Sequence, residues 1–325
     1  AAWRSVQAYL QLREDDVIGL ALPVAFSYGL YHVLMGLGVG ATVVLERSAV
    51  FPVKLLERWA AERVTVFPGV PTLFSSLLGI LDARHDLRSL RIITNAAAPL
   101  PEAHVAQLRR AFPQARLLLM YGLTECKRAS YLPPEQLDAR PGSIGRGMPY
   151  QEHWLIDENA NRLPHGATGE LVVCGEHVML GYWKKPIETG ERLHVDPLTG
   201  RTVLHTGDIF RSDAEGYLYF VARRDDIIKS RGEKVAPKEV EEALYRLDGV
   251  QDAAVVGVPD AALGQAVKAY VTLRPGARLS EREVIRHCLA SLESFMAPRQ
   301  VEFVDALPRT DSGKIRRASL RSEGS

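Results

Sequence analysis

The sequence predicts an α/β protein: a large domain with a parallel sheet and a β-rich subdomain, followed by a small α+β domain at the C-terminus. Three observations carry this. Apolar strand-like runs alternate with helically spaced segments up to about residue 121, and short β-like runs divided by Gly, Pro, Asn and Asp follow to residue 220. After residue 223 single helices and strands mix, and 325 residues exceed the roughly 100–200 of one domain. The expected division is residues 1–139 for the α/β part, 140–222 for a β-rich, barrel-like part, and 223–325 for the C-terminal domain.

The first strands are read in VIGLAL, ATVVLE, VTVFPG, RIITNA and RLLLMYG. Each is apolar throughout rather than alternating, so both sheet faces are expected to be buried, with ligands collecting at the carboxyl ends of the strands. HWLIDE, GELVVCG, TVLHTGD and GYLYFVA supply the β-rich part. Pro237 opens a helix running through Arg246, strands lie near AAVVGV and VKAYVTL, and Ser280 with Glu283 forms the capping box of another helix.

Forty Lys and Arg against thirty-nine Asp and Glu leave a net charge of +1, which argues against a non-specific nucleic-acid binder. The three cysteines, Cys126, Cys174 and Cys288, are far apart, so neither a disulfide framework nor a zinc knuckle is expected. With no long apolar run and no signal-peptide layout at the start, the chain reads as cytoplasmic, without a membrane span.

The sharpest chemical signal is YGLTEC at 121–126, closing an apolar run. A flat aromatic (Tyr121), a flexible Gly122, a hydroxyl (Thr124) and a carboxylate (Glu125) offer a stacking surface, close backbone approach, a phosphate partner and a hard-cation ligand. A plain turn after a core strand remains open for this motif alone. GELVVCGEHVMLGYW from Gly169, HTGDIFRSDAEGYLYF from His205, RRDDIIKSRGEKVAPKEVEE from Arg223 and LPRTDSGKIRR from Leu307 follow in order. The last is not a P-loop, because Pro308 stands where that motif needs its first Gly before Gly313. GLGVG at 36–40 lies between a helix and a strand, the wrong context for a dinucleotide fingerprint.

Together these segments resemble the adenylate-forming superfamily of AMP-dependent ligases, which includes the acyl-CoA synthetases. YGLTECKRASYLPPEQ is most similar to bacterial acyl-CoA or acyl-carrier-protein ligases, the exosortase-associated type among them. The resemblance implies an enzyme that joins a small carboxylic acid to AMP with ATP and Mg2+, then passes the acyl group to CoA or a phosphopantetheinyl carrier protein. It implies that Tyr121 and Gly122 meet the nucleotide, that Thr124 contacts its phosphate, and that Glu125 holds magnesium. Asp208, assisted by Arg223, would bind the ribose, and Asn95, Ala96 and Ala97 would face adenine. Asp225 would be the hinge of a mobile C-terminal domain and Lys314 the catalytic lysine. Phe26, Pro71 and Thr72 would line the acyl pocket, with plain core packing open for each. Lys229 and Gly232 would line the thiol tunnel. No acidic residue is placed to pair with a substrate amine, which favours a fatty or aryl acid. Lys127 and Arg128, beside the nucleotide motif, are given no role, surface salt bridging being the favoured use.

The superfamily's upstream Ser/Thr/Gly-rich phosphate loop has no counterpart here, and residue 1 is not Met. The large domain is therefore expected to be partial, and the chain by itself a weak or inactive ligase. The alternative is a non-catalytic nucleotide- or partner-binding remnant.

Overall fold

The computed structural model describes residues 1–46, 51–81, 85–260, 262–310 and 314–322. Within LPRTDSGKIRR, positions 311–313, Gly313 included, lie outside the described residues. The chain divides into two compact units, Ala1–Thr206 with Phe210–Phe220, and Gly207–Ile209 with Val221–Ser325.

The first unit begins with α1 (Ala2–Leu10), β1 (Val17–Leu20), α2 (Ser27–Val39), β2 (Thr42–Leu45), α3 (Pro52–Ala61) and β3 (Val66–Gly69). It continues with α4 (Pro71–Leu78), β4 (Ile92–Asn95), α5 (Glu102–Ala111), β5 (Arg116–Tyr121), β6 (Ser130–Leu132) and β7 (Arg146–Gly147). These strands form one seven-stranded sheet in the order β2-β1-β3-β4-β5-β6-β7, parallel from β2 to β5 and antiparallel beyond. Successive side chains on a strand point to opposite faces. Phe67, Ile93, Leu117 and Leu119 accordingly pack with Trp59, Phe74 and Leu108 of α3, α4 and α5. Their neighbours Val66, Ile92, Leu118 and Met120 pack with Tyr9 and Met35 of α1 and α2.

Two-sided burial holds for β1, β3, β4 and β5 but not for β2, whose Thr42 and Leu45 are exposed. The reason is position: β2 is an edge strand, paired on one side only. The glycines at 36–40 end α2, and Gly40 is its left-handed cap with φ 81°.

The β-rich region comprises β8 (Glu152–Ile156), β9 (Thr168–Cys174), a short α6 (Pro186–Gly190), β10 (Leu193–Val195), β11 (Thr202–Ser212) and β12 (Leu218–Arg223). It forms a five-stranded sheet in the order β10-β11-β9-β8, with β12 also paired to β11.

The second unit is built from β13 (Ile228–Ser230), β14 (Glu233–Val235), α7 (Pro237–Tyr245), β15 (Val250–Asp260), β16 (Gly264–Leu273), α8 (Glu281–Ser291), β17 (Gln300–Phe303) and α9 (Arg317–Ser322). Its sheet runs β14-β13-β16-β15, with β17 parallel to β16. Ala253 and Val255 face α7 and α8, while Ala254, Val256 and Val258 pack with Leu307 and Leu320. Pro237 occupies the first turn of α7. The capping box of α8 is complete: the Glu283 N–H donates to Ser280 Oγ at 3.3 Å and the Ser280 N–H to Glu283 Oε2 at 2.8 Å. No helix among the described residues is long and apolar enough to cross a membrane.

Candidate functional site

Parallel pairing gathers the expected nucleotide and acyl residues of the first unit at one edge. β1, β3, β4 and β5 are consecutive and parallel, so their carboxyl ends lie side by side. Phe26 follows β1 as the N-cap of α2, Pro71 and Thr72 open α4 just after β3, Asn95 ends β4, and Tyr121 ends β5. Phe26 is 38% exposed, so it is not buried core. Asn95 is buried; its Nδ2 donates to the Ala98 carbonyl at 3.1 Å, and its Oδ1 has no hydrogen-bond partner among the described residues. Ala96 is buried, and Ala97 adopts φ 74°, a left-handed conformation that a non-glycine residue holds at a cost.

The turn after β5 is built by close backbone approach. A Cβ on Gly122 would lie 2.4 Å from the Lys127 carbonyl oxygen and 2.8 Å from Arg128 Cα, so the loop closes on itself only with glycine there. Tyr121 meets Phe210 edge-on, with centroids 4.9 Å apart. Thr124 is exposed at the tip. Glu125 is fixed from both ends: its carbonyl accepts the Met179 N–H at 2.6 Å, and its carboxylate accepts the Tyr182 hydroxyl. Burial, together with the Glu125 charge, pushes the Tyr182 phenol up to about 12, so it stays a donor. Tyr182 lies inside the GYW segment, and no local sequence signal marks it as the partner of Glu125.

For a magnesium ion, Glu125 is one carboxylate, and no cluster of three His, Cys, Asp or Glu among the described residues could hold a metal. That donor set fits an ion whose remaining ligands are nucleotide phosphate oxygens and water, the usual condition of Mg2+.

Lys127 and Arg128 make no surface salt bridge among the described residues. Arg128 is 3% exposed, with its guanidinium 5.2 Å from the Tyr28 ring centroid and a hydrogen bond to the Tyr9 hydroxyl. Lys127 donates to the Ser27 carbonyl at 2.9 Å and stands 4.1 Å from the Tyr31 centroid. Both side chains fold back onto α1 and α2 because the residues that follow enter β6 in the sheet. Behind them His32 is wholly buried; its Nδ1 donates to the Tyr28 carbonyl at 2.8 Å, and burial pulls the imidazole down to about 3.

In the second unit Asp208 is buried on β11, directly after Gly207 with φ 71°, and pairs with Arg223 at 3.3 Å. Asp225 is exposed in the turn after β12. Its carbonyl and the Asp226 carboxylate both accept from Arg321 of α9. Lys229 and Gly232 are exposed in the β13–β14 hairpin, whose connecting residues Arg231 and Gly232 have φ 55° and 83°. Positive φ at both positions is what a two-residue hairpin turn of this kind requires. Lys314 is exposed; its N–H donates to Thr310 Oγ1 at 3.2 Å and its carbonyl accepts the Thr310 N–H at 2.8 Å. Asp208 and Arg223 are thus brought together.

A family model described as AMP-binding enzyme matches residues 1–183, and one described as AMP-binding enzyme C-terminal domain matches residues 239–314. A 3-[(3aS,4S,7aS)-7a-methyl-1,5-dioxo-octahydro-1H-inden-4-yl]propanoyl:CoA ligase of Rhodococcus jostii (strain RHA1) is 39% identical over 290 residues, 87% of this chain and 52% of that protein. A long-chain-fatty-acid–CoA ligase of Escherichia coli is 37% identical over 270 residues, 83% of this chain and 47% of its own. The chain spans about half the length of the curated relatives it matches. Among solved structures, ATP-bound MatB from Rhodopseudomonas palustris superposes with a TM-score of 0.89 at 30% identity, over 99% of this chain and 63% of that one. The anthranilate CoA ligase AuaEII in complex with anthranoyl-AMP gives 0.88 at 30% identity, over 99% and 63%.

Proposed function

Because the chain belongs to the AMP-binding enzyme family, we propose that the protein is an ATP-dependent carboxylate ligase of the AMP-forming acid–thiol type. In the first step a carboxylate oxygen attacks the α-phosphorus of ATP, the bond to the β-phosphate oxygen breaks, and pyrophosphate leaves. In the second a thiol sulfur, of CoA or of a phosphopantetheinyl carrier protein, attacks the acyl carbonyl and AMP leaves. The observation that carries this reading is the convergence of Phe26, Pro71, Thr72, Asn95, Tyr121 and Glu125 at one strand-end edge.

Tyr121 and Gly122 hold the nucleotide, with adenine lying on Tyr121 and against Asn95, Ala96 and Ala97; Thr124 donates to its α-phosphate. Asp208, with two carboxylate oxygens, accepts from the ribose hydroxyls, its orientation set by Arg223. Phe26, Pro71 and Thr72 border the acid, a fatty or aryl acid rather than an amino acid. The relatives named for long-chain fatty acids and for a bicyclic propanoate support that class. Glu125, together with the phosphates, would hold magnesium, which would supply neutralisation of charge on the triphosphate. Tyr182 keeps the Glu125 carboxylate in one orientation.

Lys314 supplies a cation where two anions approach, an interaction stronger in the transition state than in the ground state. Asp225 is the pivot about which residues 223–325 turn between the steps, presenting Lys229 and Gly232 to the thiol arm. A cytoplasmic location is in keeping with three cysteines that are free and buried.

The experiment is carboxylate-dependent ATP–pyrophosphate exchange by the full-length gene product. Lys314→Ala is expected to lower exchange ~100-fold or more while thioester formation from supplied acyl-AMP falls much less. Absence of exchange with every acid of a broad panel, alongside retained ATP binding, would replace the ligase with a non-catalytic nucleotide binder.

A further inference from the structure

We propose that Arg128, with Lys127 beside it, reads a second oxygen acceptor on the acid, remote from its reacting carboxyl group, so that fatty or aryl acids bearing a second carboxylate or a ketone are the preferred substrates. This rests on the ligase reading and names the class of acid its site takes.

Arg128 is 3% exposed, yet no ion pair joins it or Lys127 to a carboxylate among the described residues. A buried guanidinium is normally paired, because stripping its water without a counter-charge is costly. The face of Tyr28 offsets part of that cost but accepts no N–H bond in the plane of the fork. The Tyr9 hydroxyl takes one donor, and Nε has no partner among the described residues. A guanidinium carries five donors, so Arg128 has capacity that its surroundings leave unmet.

The positive character is reinforced locally. Lys127 reaches the Ser27 carbonyl in the first turn of α2. That helix has no side-chain N-cap hydrogen bond and no acidic residue in its first turn, where an acid or a capping Ser, Thr or Asp is usual.

A solvated charge run would be exposed, and a structural ion pair would include its acid; neither describes this cluster. It also lies just after Glu125 in the chain, and Lys127 bonds the carbonyl of Ser27, the residue after Phe26, which is proposed to border the acid. The chemistry missing from the cluster is an oxygen acceptor: a second carboxylate or a ketone.

The test compares suberate, 7-oxooctanoate and octanoate, acids of equal chain length, in ATP–pyrophosphate exchange and in calorimetric binding to the full-length gene product and its Arg128→Met variant. The expected result is a kcat/KM at least tenfold higher for suberate or 7-oxooctanoate than for octanoate, the preference collapsing toward unity in Arg128→Met. Suberate leading identifies the acceptor as an anion; 7-oxooctanoate leading identifies a ketone. Octanoate used as well as the others overturns the proposal, as does an equal loss for all three acids in the variant, which would mean that Arg128 serves the reacting carboxylate or the fold. If no acid supports exchange the ligase reading falls, and calorimetry decides the inference: tighter binding of the bifunctional acids, abolished by Arg128→Met, sustains it, and equal binding overturns it. Should Arg128→Met fail to fold by its melting profile, Arg128→Lys is read instead. It keeps the charge without the planar fork, and an unaltered preference there overturns the proposal.

Discussion

Arg317 donates from one terminal nitrogen to both carboxylate oxygens of Glu241, at 2.6 and 2.9 Å. The same Glu241 Oε1 accepts the Val255 backbone N–H at 2.9 Å, so α9, α7 and β15 meet at one carboxylate that is 8% exposed. Removing the cation leaves that charge buried with only an amide for company. Arg317→Ala is expected to destabilise the second unit by roughly 3 kcal/mol, and Glu241→Gln by less because it keeps hydrogen-bonding atoms. A fall in the denaturant midpoint at constant slope is the measurement; an unchanged midpoint would refute the assignment.

The segment leading to Lys314 has its own anchor. Arg309 and the Tyr245 hydroxyl both donate to the Asp252 carboxylate. Asp252→Asn is expected to loosen that segment and lower the adenylation kcat roughly tenfold, since small misplacements of a catalytic group are costly, while KM for ATP stays near its original value. Steady-state exchange kinetics separate the two parameters, and a rise in KM with kcat intact would show that Asp252 does not position Lys314.

Gly122→Ala places a methyl group 2.4 Å from the Lys127 carbonyl oxygen. Backbone must move to relieve this, and Thr124 and Glu125 move with it. The expected cost is about 1–3 kcal/mol of stability together with weakened AMP binding, read by thermal melts with and without nucleotide. A variant that melts and binds AMP like the original would contradict the close approach.

His32 gives the first unit a pH dependence. Burial pulls its folded value down to about 3 from 6.5, so between those limits the unfolded chain takes up a proton that the folded chain refuses. Stability therefore falls as pH drops through that window, by about 1.4 kcal/mol per pH unit. His32→Asn, which keeps a donor for the Tyr28 carbonyl, is expected to flatten the dependence of Tm on pH between about 4 and 6. An identical pH profile in the variant would show that His32 is not its source.

The strands at Ile18, Phe67, Ile93 and Leu118 were legible because a fully buried parallel strand is apolar at every position, and the helix at Glu281 because Ser280 and Glu283 sit at capping-box spacing. Those are signals within a few residues. The exposure of Leu45 was not legible: VVL reads the same at the edge of a sheet as in its middle, and only strand order separates them. Tyr182 and Glu125 lie in different segments, and nothing local announces that one hydroxyl reaches the other carboxylate. KR after TEC favours surface salt bridging when read as sequence, since composition carries no information on whether α1 and α2 fold over it.

Sequence alone thus determined the alternation of strands and helices, the helix caps and the adenylate-forming kinship, all properties of short windows or of motif order. Tertiary structure decided which strand became an edge, which hydroxyl holds Glu125, and that Arg128 lies buried with no acid paired to it among the described residues. These depend on chain segments far apart in sequence meeting in space, where burial changes the energy of a charge more than any neighbour along the chain does.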